Sequence, residues 1–210
     1  MVLRNDALRL RNALVDALRR SRAIRSPAVE AAFRRVPRHA FLPDLTHADV
    51  YRDDAIITHR EPDGLPSSSS SQPTIMAIML EQLELGPGHR VLEIGAGTGY
   101  NAALIREIVG SGGRVVTVDI QPDVAGEAAS NLAAAGYDDV EVVAADGGFG
   151  HPESAPYDRI VVTASSSDIP PHWREQLVEG GVLVVPLRIR TQGLSAAFVR
   201  AGQVLLSRSI

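Results

Sequence analysis

The 210-residue chain is 45% hydrophobic but only 4% aromatic, and its 21 Lys and Arg against 25 Asp and Glu leave a formal net charge of -4. That acidic balance argues against a nucleic-acid partner, and the absence of cysteine excludes disulfides, zinc–thiolate sites and cysteine nucleophiles. No apolar run approaches membrane-spanning length and the first residues lack a charged-then-apolar pattern, so the expectation is a cytoplasmic protein with an aliphatic core and no membrane contact.

Leucines and alanines at helical spacing predict a first helix over residues 3–22, and Ser26-Pro27 opens a second that runs to about Arg35 and stops at Pro37. Residues 36–66, rich in proline, read as irregular, with a short strand at Ala55 to Thr58. Ser67 to Ser71 is a run of five serines. Composition alone makes it a flexible linker, whereas its position against Pro73 makes Ser71 an N-cap. Helices and strands then alternate: helix from Pro73 to Leu85, strand 90–94, helix 99–109, strand 114–119, helix 122–135, strands 140–144 and 159–163, helix 171–178 and strand 181–186. Phe198-Val199 and Val204 to Leu206 suggest a closing hairpin. The pattern predicts an α/β fold with a doubly wound, mainly parallel sheet. The division expected is an N-terminal helical cap with a substrate-side loop over 1–66 and a compact core over 67–210.

Val91 to Tyr100 reads VLEIGAGTGY. Val91, Leu92 and Ile94 suit a buried strand, and Gly95, Gly97 and Gly99 then remove every second side chain where the strand turns into a helix. Backbone without Cβ atoms can approach a ligand closely, and the amides of the coming helix are free to bind it. The next strand, Val115 to Val118, ends in Asp119, placed for a ribose. A dinucleotide fingerprint would need glycine where Tyr100 stands; the spacing G-x-G-x-G after Glu93 is instead the pattern of S-adenosylmethionine methyltransferases.

Further motifs narrow the resemblance. Val36-Pro37-Arg38-His39-Ala40-Phe41-Leu42-Pro43, Tyr51 with Asp53-Asp54, Ser71-Gln72-Pro73, the approach Leu85 to Gly95, Gly136-Tyr137, Asp146-Gly147, Ala155 to Asp158 and Gly180-Gly181 with Pro186 follow in order. Over roughly residues 27–187 the chain resembles the protein-L-isoaspartate O-methyltransferases, whose fold is Rossmann-like. Two departures stand out. The family's glycine-rich stretch before S-Q-P is replaced by Thr58 to Pro66 and serines, and the chain stops at Ile210 where the family usually has one more strand. The C-terminal part looks more like a branch that converts aspartate to aspartimide in ribosomal peptides, which implies a truncated form of a longer protein.

The resemblance implies S-adenosylmethionine as cofactor and a protein or peptide bearing aspartate or isoaspartate as partner; it assigns no oligomeric state. Carried over, Gly95, Gly97 and Gly99, with Ala96 between them, shape the loop under the methionine part. Glu93 orients that loop or meets the ammonium group, Asp119 with Ile120 beside it holds the ribose, and Asp146-Gly147 either meets the adenine edge or forms an ordinary turn. Ser71 either donates to the acceptor carboxylate or only caps its helix; Thr163 and Ala164 line the cleft floor. Trp173 packs a helix onto the sheet, and His39, His59 and His151, without ligand-like spacing, are surface or structural, so no metal is expected. Methyl transfer to an ionised carboxylate needs no general base, which leaves positioning as the main source of rate. Two other readings remain: a SAM-fold binding module that has lost acceptor chemistry, and a methyltransferase of small molecules or nucleic acid.

Overall fold

The computed structural model describes residues 2–189 and 192–208. Seven strands form one sheet in the order β5-β4-β3-β6-β7-β8-β9. These are β3 (Arg90–Ile94), β4 (Arg114–Asp119), β5 (Glu141–Ala144), β6 (Tyr157–Val162), β7 (Leu177–Ile189), β8 (Gln192–Ala201) and β9 (Val204–Arg208). The first five run parallel, and β8 and β9 close the sheet antiparallel. The chain lays down β3, β4 and β5 toward one edge, then returns to place β6 on the other side of β3. This reversal opens a crevice at the carboxyl ends of β3 and β6, where such sheets bind ligands.

Alternation along the strands builds two cores. Val91, Val115, Val161 and Val184 face the side covered by α1 (Val2–Arg20), α2 (Pro27–Arg35), α4 (Pro73–Leu83) and α5 (Tyr100–Val109). Leu92, Ile94, Val116, Val118, Ile160 and Val162 face the other side, against Trp173 of α7 (Pro171–Gln176). The central strands β3, β4 and β6 are buried on both faces, as parallel strands require. The cap is anchored through aromatics: Phe33 of α2 meets Tyr100 of α5 edge-on with centroids 6.3 Å apart, and Phe41 lies 5.6 Å from the same ring. The helix α3 (His47–Val50), capped by Thr46, and a 3-10 turn at Arg38–Phe41 fill part of the segment expected to be irregular.

Four local expectations are corrected. The serine run is neither a linker nor a cap: Pro66–Ser70 is strand β2, paired antiparallel with β1 (Ile56–Arg60) in the register Ile56↔Ser70 to Arg60↔Pro66. Its turn is closed by Glu61 N donating to Leu65 O at 2.8 Å, with Gly64 at φ 86. The hairpin therefore straddles the division drawn at residues 66 and 67. Gln72, not Ser71, holds the N-cap position of α4; its side chain makes no cap bond, and Asp53 Oδ1 instead accepts from Thr74 N at 2.8 Å. That helix ends at Leu83, short of Leu85, because Glu84 turns left-handed at φ 48. Finally, α7 stops at Gln176, and β7 runs from Leu177 to Ile189 because β8 pairs with it from Val182 onward.

Phe33 is 1% exposed beneath the cap. Phe33→Ala is expected to lower the unfolding free energy by about 3–5 kcal/mol in urea denaturation. Leu8→Ala, at a position 45% exposed on α1, is expected to change it by less than about 0.5 kcal/mol.

Candidate active site

A cavity of 810 Å³ opens at the carboxyl ends of β3, β4 and β6, beneath the β1–β2 hairpin. Of the residues singled out in the sequence, Ser71, Glu93, Gly95, Ala96, Gly97, Asp119, Ile120, Asp146, Gly147 and Thr163 line it. Gly99 does not: it sits at the start of α5 at φ 86, where a Cβ would lie 3.0 Å from Leu132 Cγ and 3.1 Å from Ala128 O. Its role is packing of α5 against α6 (Pro122–Ala134).

The glycine loop is clamped from three sides. Gly95 has φ 105, and a Cβ there would stand 2.8 Å from Thr163 Oγ1 and 3.0 Å from Ala164 N. Thr163 Oγ1 donates to Gly95 O at 2.6 Å, tying the end of β6 to the loop. Asp119 Oδ2 accepts from Gly97 N at 3.2 Å, while Oδ1 accepts from Gln121 N at 3.1 Å. Both oxygens keep a free lone pair, so loop anchoring and ribose binding are compatible. Ile120, next in sequence, is 67% exposed at the rim, an apolar surface suited to a flat ring.

Glu93 is fully buried and both of its oxygens are engaged: Asn101 Nδ2 donates to one and Thr117 Oγ1 to the other, each at 2.7 Å. Burial, which outweighs these two bonds, pushes its carboxyl up to about 7, with the charge of Asp119 adding to the rise. Glu93 thus ties β3 to β4 and α5. The group it leaves facing a ligand belongs to Asn101, whose Oδ1 is buried at the cavity wall without a partner among the described residues. An orphaned acceptor of this kind suits an amine donor. Asn101 carried no motif and was missed in the sequence.

Asp146 does form a turn, with Oδ1 accepting from Gly148 N at 2.9 Å. The turn is also built into the cavity. Trp173 Nε1 donates to Gly147 O at 2.8 Å, and a Cβ on Gly147 would meet Ile94 Cγ2 at 2.5 Å. Trp173 therefore packs α7, as expected, and in addition fixes this edge of the site. On the opposite wall Ser70 is buried and Ser71 half-buried. Among the described residues the Ser71 hydroxyl has no hydrogen-bond partner, while its carbonyl accepts from Arg38 Nη2 at 3.0 Å. The hairpin reaches the cofactor side too: Gln121 Nε2 donates to Glu61 Oε1 at 3.2 Å, and His59 Nε2 lies 3.3 Å from Glu127 Oε1.

The other described histidines lie outside the cavity lining, with His39 and His47 stacked edge-on at 4.8 Å. His39 meets Tyr51 at 2.8 Å, and His151 lies between Glu141 and Glu153. Among the described residues no group of three His, Cys, Asp or Glu side chains could hold a metal, and no helix is long and apolar enough to cross a membrane. Among the described residues the cavity lining carries four carboxyl groups (Glu61, Asp119, Asp146 and the fully engaged Glu93) and no Lys, Arg or His. With the orphaned Asn101 Oδ1 and the glycine-rich loop, this donor set fits a cationic ligand that bears an amine and a diol.

Comparison with known proteins agrees with that chemistry. The family model described as Protein-L-isoaspartate(D-aspartate) O-methyltransferase (PCMT) matches residues 9–207. A protein-L-isoaspartate O-methyltransferase of Methanopyrus kandleri is 45% identical over 180 residues, 85% of this chain and 77% of that one. Another, from Methanoculleus marisnigri, is 43% identical over 197 residues, 93% and 86% of the two chains. A solved protein-L-isoaspartate O-methyltransferase, 34% identical, superimposes with a TM-score of 0.84 over 95% of this chain, which spans 64% of that one. A Plasmodium falciparum structure described as a putative member, in complex with S-adenosyl-L-homocysteine, shares the fold at 19% identity and a TM-score of 0.79, covering 93% of each chain.

Two outcomes follow from this geometry. Gly95→Ala places a methyl against Thr163 and Ala164 backbone at a left-handed φ; calorimetry with S-adenosylhomocysteine is expected to show binding weakened at least about 100-fold, the equivalent of roughly 3 kcal/mol. Glu93, raised to about 7 from 4.5, binds more protons folded than unfolded between those values. Its neutral form contributes fully below about 4.5, and that contribution is lost as pH rises through about 7. Urea titrations are therefore expected to show wild type losing stability relative to Glu93→Gln between pH 5 and 8, with no further divergence above pH 8.

Proposed function

Since this chain belongs to the protein-L-isoaspartate O-methyltransferase family, we propose that its cavity seats an isoaspartyl carboxylate of a protein or peptide against Ser71, beside a cofactor held by the glycine loop. The enzyme is a methyltransferase dependent on S-adenosylmethionine. That cofactor, when bound, supplies a sulfonium methyl group that an ionised carboxylate can take by direct displacement.

The chain's own residues then divide as follows. Gly95, Ala96 and Gly97 let the backbone approach the methionine part, and Asn101 Oδ1 accepts from its ammonium group. Asp119 accepts from the ribose hydroxyls, while Ile120 and the Asp146-Gly147 turn border the adenine. Thr163 holds the loop in place and Trp173 holds the turn. Ser71 donates to one oxygen of the substrate carboxylate and leaves the other directed at the methyl. The feature that carries this reading is the Ser71 hydroxyl, half-buried at the cavity wall and unengaged among the described residues, directly after strand β2, whose Ser69 carbonyl lies 3.4 Å from where a Cβ of Gly97 would stand. No residue needs to move a proton, since the acceptor is ionised at neutral pH; the task is alignment. In the methyl ester so formed, the neighbouring backbone amide nitrogen can attack the carbonyl and expel methanol, closing a succinimide.

The relatives named above carry the isoaspartate description and none names peptide tailoring, so isoaspartate is the acceptor adopted here. Cytoplasmic action belongs to the same proposal, supported by the family assignment. A mass-spectrometric assay with S-adenosylmethionine checks the reading against two peptides, one linear with isoaspartate and one ring-constrained with normal aspartate. The expected result is one added methyl on the linear peptide, decaying to the loss of water. Ser71→Ala is expected to lower kcat/KM for that peptide about tenfold or more, the equivalent of about 1.4 kcal/mol, with affinity for S-adenosylhomocysteine within about twofold of wild type. Methylation of the constrained peptide alone would reassign the enzyme to aspartimide formation, and binding of cofactor with neither peptide changed would leave a binding module.

A further inference from the structure

The cavity poses an electrostatic problem. The carboxylates of Glu61, Asp119 and Asp146 in its lining suit a cationic cofactor, yet the acceptor is itself an anion and, among the described residues, the lining offers it no base. The missing cation lies one layer behind the wall. Arg38 is 0% exposed, enclosed by the β1–β2 hairpin, the Arg52–Asp54 segment and α5. Its Nη1 donates to Arg52 O at 3.4 Å; its Nη2 donates to Ser71 O at 3.0 Å and Ser70 Oγ at 3.3 Å, with Asp54 O at 3.5 Å. The guanidinium carbon stands 5.8 Å from the centroid of Tyr100. All of these are neutral partners, and Nε has none. The carboxylate that acts on it electrostatically, Asp53, is bonded instead to Thr74 N at 2.8 Å and Thr74 Oγ1 at 2.6 Å.

A buried cation without a carboxylate partner is costly, so its retention needs a use. Resting on the acceptor reading given above, we propose that Arg38 is a positioning residue for the substrate: it fixes the Ser70–Ser71 backbone and supplies, through that wall, the positive field that draws the acceptor carboxylate into an otherwise acidic cavity. Arg38 touches neither substrate nor cofactor; it acts through Ser71 and through space. Low exposure shields its charge from screening by salt.

The test is calorimetry on the enzyme loaded with S-adenosylhomocysteine, which carries no sulfonium charge. Two probes are titrated in 0.5 M NaCl: a linear isoaspartyl peptide and the same peptide with the acceptor carboxylate replaced by carboxamide. Wild type is expected to prefer the carboxylate by at least about tenfold. Arg38→Met, of similar length and apolar, is expected to lose that preference, while Arg38→Lys keeps most of it. Equal affinities in wild type would overturn the proposal, as would an Arg38→Met variant that weakens both peptides in the same proportion, the signature of a purely structural role. If Arg38→Met does not unfold cooperatively, the wild-type preference in salt and its retention in Arg38→Lys decide. Binding of neither peptide would instead remove the isoaspartyl reading, and this proposal with it.

Discussion

The site depends on one constraint: where β3 ends, the chain must turn away through backbone that no ordinary side chain tolerates, while the end of β6 presses against it. Gly95 at φ 105 lies under Thr163 and Ala164, and the Thr163 hydroxyl bonds to its carbonyl. Asp119 on the other side bonds to the amide of Gly97. Three adjacent parallel strands thus meet at one short loop, and its shape follows from the sheet order that separates β4 from β6 by β3 alone. Everything else at the cofactor end, including the Glu93–Thr117–Asn101 bridge, holds that meeting point rigid.

The acceptor end is built on the opposite logic. The wall there is a two-stranded hairpin whose second strand is a run of serines after Pro66, and its order comes from outside itself. Ser70 is buried because Arg38 lies behind it, and the tip is held by Glu61 to Gln121 and His59 to Glu127. A rigid cofactor loop beside an adaptable acceptor wall fits a reaction in which the methyl donor is invariant and the protein substrate is not.

What could be read in the sequence was what obeys local rules. The sheet strands and their helices follow from apolar period and turn residues, and the glycine loop from the need for positive φ. Of the β1–β2 hairpin, the first strand was legible near Ala55 to Thr58, but the second was not, because serine has little strand preference; Pro66–Ser70 is a strand only because Ile56–Arg60 supplies the pairing. Motif spacing could not show that Gly95 serves the cavity while Gly99 serves the packing of two helices, since both have positive φ and only the surroundings differ. Asn101 was missed because its importance lies in an acceptor left empty by Glu93. Arg38 stood in a recognisable motif, but its burial arises from the convergence of the hairpin, the Arg52–Asp54 segment and α5, which no local pattern records.

The way the hairpin is attached has an evolutionary consequence. None of its strands joins the seven-stranded sheet, and several of its side chains, Leu65 and Ile57 among them, project into solvent. Replacing the exposed tip, residues 61–65, leaves both hydrophobic cores, the bonds of Arg38 to Ser70 and Ser71 and the approach of Ser69 to Gly97 as they are. Selection can exchange this one surface cassette to change which peptides are accepted, at little cost to folding.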